Sequence, residues 1–565
     1  MLHNSEIASA LAYLEQSQVV TRIWSGDHTV WKPDPTEIAD RLGWLTVTDL
    51  MRQQASDLAS FAAEVRDVGF KHFVLLGMGG SSLGPEVLRQ TFGSAPGYPE
   101  LIVLDSTVPG WVQSVTDAID PAQTIFLVSS KSGSTTEPNM FCAYFRDLVE
   151  QAVGLDAAGQ HFIAVTDPES SLARLGSEQG FRRVFLNPTD LGGRYSVLSF
   201  FGLVPAAIIG LDVLKLLDRA DGMRNQTKPE IPASENLGVL LAAVMGVFSQ
   251  RGRDKLTVVT SPAISSFGLW VEQLIAESTG KDGIGLVPVA GEPQTSPKYY
   301  GEDRMFVYLR LDGDDNGSTD DAVQAVESSG QPVVRLGLAD VYHIGAEFFH
   351  WEMATAIAGS IICINPFDQP NVQAAKDMTE SVLAQYKTSG KLPDMEEADS
   401  IGQLLAMAGP GYYLAIMAYV TQSPEVEQAL DDLRRRVTEK YGIATTMGYG
   451  PRFLHSTGQL HKGGPASGLF LQITAEHSQT LPIAGTPYSF GVLSNAQALG
   501  DLQALRASKR RAARVDAGPD PALAIINMAE AIKKGVSVIT GTPFLIDARK
   551  PPFVKGVGGF PPATN

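Results

Sequence analysis

The stretch that decides the fold is Phe73-Val74-Leu75-Leu76-Gly77-Met78-Gly79-Gly80-Ser81-Ser82. Its first four residues form a continuous apolar run, which is typical of a strand buried on both faces of a parallel sheet. The glycines after it let the backbone approach a ligand, and a helix that begins there offers free N–H groups to an anion. The stretch therefore predicts a strand, a glycine-rich turn and a helix, which is the opening unit of a doubly wound α/β domain.

Similar short apolar runs recur along the chain, with helical patterns between them. A first group comprises Leu101–Leu104, Thr124–Val128 and Phe162–Val165. A second group comprises Leu256–Val259, Gly285–Val289, Met305–Leu309 and Val333–Leu336. Because buried strands that alternate with helices form parallel sheets with crossover helices, we expect two doubly wound α/β domains.

The length of 565 residues exceeds what one hydrophobic core usually supports, so we expect the chain to fold into several packed units. They are an N-terminal helical arm over residues 1–50, a first α/β domain over 51–235, a second over 236–390, and a C-terminal α/β extension with a tail over 391–565. In the last part, Tyr413–Ile416 and Leu469–Ile473 are predicted strands, and Glu425–Lys440 is a predicted helix.

The composition disfavours several classes of function. The net charge of -18 disfavours a nucleic-acid partner, and the one basic run, Lys509-Arg510-Arg511, is interpreted as a solvated helix face. The N-terminus lacks a signal-peptide pattern, and the longest apolar stretch, Val197–Leu211, is too short to span a bilayer. Two cysteines are too few for a disulfide framework or a recognisable metal site. We therefore expect a cytoplasmic protein with no nucleic-acid or membrane partner and no metal.

A second turn is rich in hydroxyl side chains. It follows the strand that ends at Val128 and reads Ser129-Ser130-Lys131-Ser132-Gly133-Ser134-Thr135-Thr136-Glu137. These hydroxyl groups can surround a phosphate together with backbone N–H groups, although the same composition also suits a capping turn. The first turn has the pattern Gly77-x-Gly79-x-x-Ser82, which lacks the third glycine of a dinucleotide-binding turn and so disfavours a nucleotide.

Several segments resemble one enzyme family in the same order along the chain. The loop Ser130–Glu137 is similar to the phosphate loop of sugar isomerase (SIS) domains, and Gly192-Gly193-Arg194-Tyr195-Ser196 resembles the signature arginine segment of phosphoglucose isomerases. The segments Gln273–Lys281 and Phe367–Lys376 resemble the glutamate and lysine segments of that family. The resemblance implies that both α/β domains are SIS domains, the first with the phosphate loop and the second with the catalytic glutamate.

The part of the chain beyond residue 390 resembles the C-terminal part of the isomerase half of fused transaldolase–phosphoglucose isomerase proteins. The early segment Asp27–Pro35 resembles the joint of those fusions. The stretch before that segment is too short for a transaldolase domain. The sequence is therefore interpreted as a stand-alone isomerase of that subgroup.

The spacing of the candidate residues fits helices. Gln273 and Glu277 are one helical turn apart on the same face, so both can point into one cleft, and Gly280 could end that helix. Gln369 and Lys376 would share a face if a helix begins near Pro370. For any single charged residue, the alternative to a role in the site is an exposed position on the surface of a helix.

The resemblance implies reversible isomerisation of glucose 6-phosphate and fructose 6-phosphate through a cis-enediol (EC 5.3.1.9), a step of glycolysis and gluconeogenesis. Glu277 would be the base, Arg194 would stabilise the enediolate and Lys376 would assist ring opening. The substrate-binding residues would be Ser130, Lys131, Ser132 and Thr135 for the phosphate, with Gly80, Ser81, Gln273 and Gln369 for the sugar. The resemblance also implies a homodimer and no cofactor.

One position departs from the family pattern. The family has a histidine, often from the partner subunit, between its glutamate and lysine segments, and this histidine assists ring opening. This chain has none from Glu277 to Tyr342. The later segment Gln459-Leu460-His461 is similar to the missing one, so His461 is the candidate, with His455 as the local alternative.

Three other functions stay open on the sequence alone. A dual phosphoglucose/phosphomannose isomerase could use the same proton relay. A non-catalytic sugar-phosphate sensor would need the hydroxyl-rich loop but would have no need of Glu277, Arg194 and Lys376 together. A nicotinamide-dependent oxidoreductase is disfavoured by the incomplete glycine pattern.

Overall fold

Three separate parallel sheets form the framework of the protein. The computed structural model describes residues 5–393, 400–477 and 480–534. The chain begins with helices α1 (Ser5–Gln16) and α2 (Val19–Trp24) and two short 3-10 turns. The first sheet then comprises β1 (His72–Gly77), β2 (Glu100–Leu104), β3 (Thr124–Ser129), β4 (Phe162–Thr166) and β5 (Arg183–Leu186) in the order β2-β1-β3-β4-β5.

Helices cover both faces of the first sheet, and this explains why its central strands are apolar throughout. The helices of this part are α3 (Val47–Val68), α4 (Leu83–Phe92), α5 (Pro109–Ala118), α6 (Thr136–Val153), α7 (Leu155–Ala158), α8 (Ser171–Glu178), α9 (Phe200–Ile208) and α10 (Val213–Asn225). Every residue of β3 and β4 is buried. The predicted doubly wound α/β layout is confirmed here.

The second sheet has the order β7-β6-β8-β9 and is also parallel. Its strands are β6 (Lys255–Thr260), β7 (Val287–Ala290), β8 (Arg304–Leu311) and β9 (Val333–Leu338), and the helices of this part are α11 (Leu237–Gln250), α12 (Phe267–Thr279), α13 (Gly317–Ser328), α14 (Ile344–Ile361) and α15 (Val372–Ser389). Helix α12 ends at Gly280, as the sequence predicts.

The third sheet has the order β11-β10-β12-β13 and lies in the C-terminal region. Its strands are β10 (Tyr413–Tyr419), β11 (Ala444–Tyr449), β12 (Gly468–Thr474) and β13 (Arg511–Asp516), and its helices are α16 (Ile401–Leu405), α17 (Pro424–Tyr441), α18 (Gly458–Gly463), α19 (Phe490–Ala507) and α20 (Pro521–Lys534). The exact bounds of the four predicted parts stay a prediction, and the tail beyond residue 534 lies outside the described residues.

The prediction for the basic run Lys509-Arg510-Arg511 is wrong. This run lies between α19 and β13, and Arg511 is the first residue of that strand. Arg510 donates hydrogen bonds to the carbonyl oxygens of Lys462 and Gly464. The run is therefore a turn whose central arginine fastens the end of α18, because free carbonyls after a short helix attract a guanidinium. In the described parts of the chain, no helix is long and apolar enough to cross a membrane.

Candidate active site

The candidate site lies where β1 and β3 end. The strand order reverses between these two neighbours, and open α/β sheets bind ligands in the crevice outside such a reversal. The 3-10 turn Gly79–Ser81 follows β1, and the hydroxyl-rich loop follows β3. Ser129 Oγ donates to Ser81 O at 3.1 Å, so the two predicted ligand loops are joined at one edge of the sheet.

Two glycine-containing turns meet at this edge. The 3-10 turn Gly193–Tyr195 carries the predicted arginine. A Cβ at Gly80 would lie only 2.0 Å from Gly193 O, a distance that no side chain tolerates. The close approach of the two backbones therefore requires glycine at position 80, and it brings Arg194 to the first ligand loop.

Arg194 is buried, with 3% of its surface exposed, and its guanidinium is held on three sides. Nε donates to Ser278 Oγ at 2.8 Å, and Nη2 donates to Pro366 O at 2.8 Å and to Asp368 O at 3.0 Å. Nη1 lies 3.3 Å from Glu277 Oε2. The arginine thus faces the predicted catalytic carboxylate with a fixed orientation.

Glu277 and Gln273 project from the same face of α12, as their spacing predicts. Both are buried, and Gln273 Nε2 lies 3.4 Å from Glu277 Oε2. Burial raises the pKa of the Glu277 carboxyl above its ordinary value, and the positive charge of Arg194 opposes that rise. A carboxylate in this environment is a stronger base than a solvated one, which suits proton abstraction.

The C-terminal region reaches this site through His455. Gln273 Nε2 donates to His455 O at 2.8 Å, and a Cβ at Gly79 would lie 2.5 Å from the same oxygen. His455 Nε2 lies 3.0 Å from Oε1 of Glu137, the last residue of the hydroxyl-rich loop. His455 is therefore in contact with both the first ligand loop and the face of α12 that carries Glu277.

The structure does not bring His461 to this cluster. Its ring is buried, 5.0 Å from the ring of Phe470 and 5.9 Å from that of Phe453. Burial lowers the pKa of His461 well below its ordinary value, and the charges of Lys462 and Arg510 act in the same direction. These surroundings hold the imidazole neutral within the aromatic core beside the third sheet.

The hydroxyl-rich loop has internal contacts of its own. Ser130 Oγ donates to Thr135 Oγ1 at 3.1 Å, and Ser132 Oγ lies 2.9 Å from Ser134 Oγ. Lys131 Nζ makes a 2.5 Å hydrogen bond to Asp167 Oδ2, so its ammonium is neutralised at the rim of the loop. The side chain of Thr135 makes no capping hydrogen bond at the start of α6. Phosphate binding by the hydroxyl groups of the loop stays a prediction.

Gln369 and Lys376 lie at the margin of the cluster. Helix α15 begins at Val372, so Gln369 precedes it, and the expectation that the two residues share a helix face is wrong. Both side chains are exposed. The positive charge of Lys376 still contributes to lowering the pKa of Glu137, so this lysine acts on the site at longer range.

Sequence reasoning assigned no role to Lys281, although this lysine is part of the site. Its Nζ donates to Asn365 O at 2.6 Å, Asp368 O at 2.6 Å and Asp368 Oδ1 at 2.5 Å. Burial lowers the pKa of Lys281 to about 8, with the nearby Arg194 acting in the same direction. Lys281 lies beyond the end of α12, so helical spacing from Glu277 does not place it; its position in the segment Gln273–Lys281, which resembles the glutamate segment of the family, was the signal that could have found it.

The fold and the site together define a class of protein. Doubly wound parallel sheets, a hydroxyl-rich loop at the strand reversal and a buried glutamate beside an arginine are the features that the sequence resemblance implies for an aldose–ketose isomerase. Within the described residues, no group of three or more histidine, cysteine, aspartate or glutamate side chains could hold a metal ion.

The particular family follows from comparison with known proteins. Residues 46–304 match the family model of phosphoglucose isomerase, so the predicted resemblance to that family is confirmed. The chain is 28% identical to a glucose-6-phosphate isomerase of Staphylococcus saprophyticus and 27% identical to one of Staphylococcus aureus. Each alignment covers 64% of this chain and 90% of the relative.

Solved structures agree on the fold. A hypothetical protein of Thermus thermophilus is 24% identical with a TM-score of 0.59, covering 67% of this chain and 98% of that chain. A glucose-6-phosphate isomerase of Chlamydia trachomatis is 20% identical with a TM-score of 0.57, covering 67% of this chain and 86% of that chain. The likeness to fused transaldolase proteins stays a prediction.

Proposed function

We propose that the protein interconverts glucose 6-phosphate and fructose 6-phosphate through a cis-enediol. The observation that carries this proposal is the buried Glu277, whose Oε2 lies 3.3 Å from Arg194 Nη1 beside the crevice of the first sheet. The reaction moves one proton between C2 and C1 on one face of the sugar, so a single carboxylate can take the proton and return it. The two carbons exchange oxidation state internally, so the chemistry requires no external redox partner.

The electrostatics of the pair support these roles. When the proton leaves C2, negative charge develops on the enediolate oxygens. A guanidinium that cannot lose its proton stabilises this charge well in a site that excludes water. Arg194 is held by Ser278, Pro366 and Asp368, so it does not have to reorganise as the charge forms. Lys281 fixes the same Asp368 carbonyl from the other side.

The hydroxyl-rich loop is the proposed phosphate site. Ser130, Lys131, Ser132 and Thr135 would bind the phosphate, with Gly80 and Ser81 beside the sugar. The loop joins the carboxyl end of β3 to the N-terminus of α6, where backbone N–H groups and the helix dipole favour an anion. Gln273 would bind a sugar hydroxyl near Glu277, and Gln369 would bind one from the margin of the site.

Ring opening is the step for which the structure favours His455. Breaking the C1–O5 bond removes a proton from the C1 hydroxyl and adds one to the ring oxygen, so one group that takes and returns a proton balances the step. An imidazole suits this exchange near neutral pH. His455 contacts Glu137 and Gln273, whereas His461 packs between aromatic rings. We therefore propose His455 for this role, with Lys376 assisting.

The proposal is tested by an assay for fructose 6-phosphate formed from glucose 6-phosphate after dialysis against a chelator. We expect turnover to survive the dialysis, and unphosphorylated glucose to be a very poor substrate. His455→Asn and His461→Asn serve as a matched pair, because each removes one imidazole from the same region. If neither sugar phosphate is converted, the proposed function is wrong. If only His461→Asn slows turnover of the cyclic sugar, the assignment of His455 is wrong.

We also propose the cytoplasm as the location and a homodimer as the assembly. Both rest on the sequence: the small number of cysteines suits a reducing compartment, and the family resemblance implies a dimer. Fractionation and sedimentation analysis would test them independently of the reaction.

A further inference from the structure

Three consecutive polar residues that the proposed reaction does not use lie buried after β2. Asp105, Ser106 and Thr107 are 5%, 7% and 0% exposed. Each contacts the C-terminal region: Asp105 Oδ2 lies 3.4 Å from a nitrogen of Arg452, and Ser106 Oγ donates to Gly450 O at 2.8 Å. Buried polar side chains are costly unless they are paired, so this segment serves as a polar attachment between the first sheet and the third.

Thr107 begins a chain of hydrogen bonds that ends at the active site. Thr107 Oγ1 donates to Gln497 Oε1 at 2.6 Å, and Gln497 Nε2 donates to Glu137 Oε1 at 2.7 Å. The same carboxylate oxygen lies 3.0 Å from His455 Nε2. The four residues come from α19, the segment after β2, the N-terminus of α6 and the turn before α18. The series of hydrogen bonds therefore crosses the contact between the part of the first sheet and the part of the third sheet.

The direction of each bond in this chain is fixed by chemistry. An ionised carboxylate only accepts hydrogen bonds, so the amide NH₂ of Gln497 has to face Glu137. The amide oxygen then faces Thr107, whose hydroxyl supplies the proton. If the amide turned over, its oxygen would lie against the carboxylate and repel it. The carboxylate of Glu137 therefore sets the orientation of the amide, and the Thr107 hydroxyl holds the amide in place by donating to its oxygen.

Glu137 is held in its ionised form by its surroundings. Burial is the largest single influence and opposes ionisation, but the contact with His455, a backbone hydrogen bond and the charge of Lys376 together outweigh it, so the pKa of Glu137 is lowered. Its position in the first turn of α6 also favours a negative charge. The donor from Gln497 adds to this stabilisation, because a hydrogen bond to a charged acceptor is stronger than one between neutral groups.

We propose that Thr107 and Gln497 are positioning residues that keep Glu137 an ionised acceptor aimed at His455 Nε2, which leaves the other nitrogen of His455 for the sugar. The inference rests on the proposed function, because its effect is measured at the ring-opening step. Which nitrogen of a histidine carries the proton is set by the hydrogen bond that the other nitrogen makes. The two residues act through Glu137 and do not touch substrate.

The test compares Thr107→Val with Thr107→Ser. Valine keeps the shape and loses the hydroxyl, whereas serine loses the methyl group and keeps the hydroxyl. Gln497→Met is the second variant and removes both hydrogen bonds at similar volume. Thr319→Val is the matched control, because Thr319 is a buried threonine of α13 beside the second sheet. Circular dichroism and thermal unfolding establish that each variant is folded.

Two rates are measured. The first is the conversion of glucose 6-phosphate, which is mostly cyclic in water. The second is hydrogen exchange with deuterated solvent at C1 of 5-deoxyfructose 6-phosphate, which lacks the 5-hydroxyl that closes a furanose ring. We expect Thr107→Val and Gln497→Met to lower the first rate about ten-fold, the scale of losing an orienting partner of an active-site group. The exchange rate should stay within about two-fold of the parent protein, and Thr107→Ser should retain most of the first rate.

The inference is wrong if Thr107→Val converts glucose 6-phosphate as fast as Thr319→Val does, or if Thr107→Ser is impaired more than Thr107→Val, since that order indicates packing. It is also wrong if both rates fall in parallel in Gln497→Met. Failure of the proposed function is a different result: the unaltered protein would then carry out neither reaction.

Discussion

Removal of the Arg194 guanidinium should affect both the rate of the proposed reaction and the stability of the protein. We expect Arg194→Met to lower kcat about 10²–10³-fold, which is the usual cost of losing one preorganised donor to a developing oxyanion. Methionine fills much of the volume but leaves the acceptors at Ser278, Pro366 and Asp368 without their donor. Because Arg194 is 3% exposed and contacts Glu277, we also expect a stability loss of about 3–5 kcal/mol.

The loss of Arg194 should also shift the pH dependence of the reaction in a defined direction. Burial raises the pKa of Glu277 and Arg194 lowers it, so loss of the arginine removes the opposing effect. More of the base is then protonated at a given pH, and the acid limb of kcat/KM should move to higher pH. Arg194→Lys should have an intermediate kcat, because an ammonium keeps the charge but cannot reproduce the planar fork of donors.

The assay measures fructose 6-phosphate formation from pH 5 to 9 in the parent protein, Arg194→Met and Arg194→Lys. Arg335→Met is the control, since Arg335 pairs with Glu327 on the surface of the second sheet. The reasoning is refuted if Arg194→Met retains kcat within a few fold of the parent protein. It is also refuted if the acid limb stays in place or moves to lower pH.

Three further changes have defined outcomes. Gly80→Ala should destabilise the protein by about 1–3 kcal/mol in thermal unfolding and lower kcat as well, because its Cβ would lie 2.0 Å from Gly193 O; unchanged values would show that the turns can separate. Ser132→Ala with Thr135→Ala should raise KM, at about 1.5–3 kcal/mol for each hydrogen bond lost to a charged oxygen; an unchanged KM would place the phosphate elsewhere. Glu352 is fully buried, and burial raises its pKa well above the ordinary value of 4.5. As the pH rises above 4.5, the unfolded state loses this proton while the folded state keeps it. Stability of the parent protein should therefore fall relative to Glu352→Gln, by at most about 1.4 kcal/mol per pH unit in urea unfolding, and parallel curves would contradict this.

The strands that the sequence predicts are those whose signal is local. Runs such as Thr124–Val128 are apolar at nearly every position because helices cover both faces of the sheet, and this burial is visible in the sequence itself. The edge strands β5 (Arg183–Leu186) and β13 (Arg511–Asp516) escaped prediction because each is short in apolar residues: β5 has only three after its arginine, and β13 mixes alanine and valine with arginine and aspartate. The strand β11, Ala444–Tyr449, also lies at an edge and carries threonines and a glycine.

The residues of the site likewise divide into those that a local sequence pattern predicts and those that only the packing of distant segments brings together. Gln273 and Glu277 share a face because one helical turn separates them, which a sequence shows directly. The choice between His455 and His461 depends on how the C-terminal region packs on α6 and α12, and no local pattern encodes that contact. The similarity of the Gln459–His461 segment to the family pattern favoured His461, whereas the structure places His455 beside Glu137. The two hydrogen bonds of Gln497 likewise join residues 360 and 390 positions apart.

The central claim is that Glu277 moves the proton between C2 and C1, and isotope exchange tests it most directly. Glucose 6-phosphate would be incubated in deuterated water with the parent protein and with Glu277→Gln, and deuterium at C1 and C2 followed by NMR alongside fructose 6-phosphate formation. The account predicts that the parent protein incorporates deuterium as it isomerises the sugar. Glu277→Gln should lose both activities about 10²–10⁴-fold, the usual contribution of a general base, while remaining folded. Exchange and isomerisation by Glu277→Gln within a few fold of the parent protein would contradict the account.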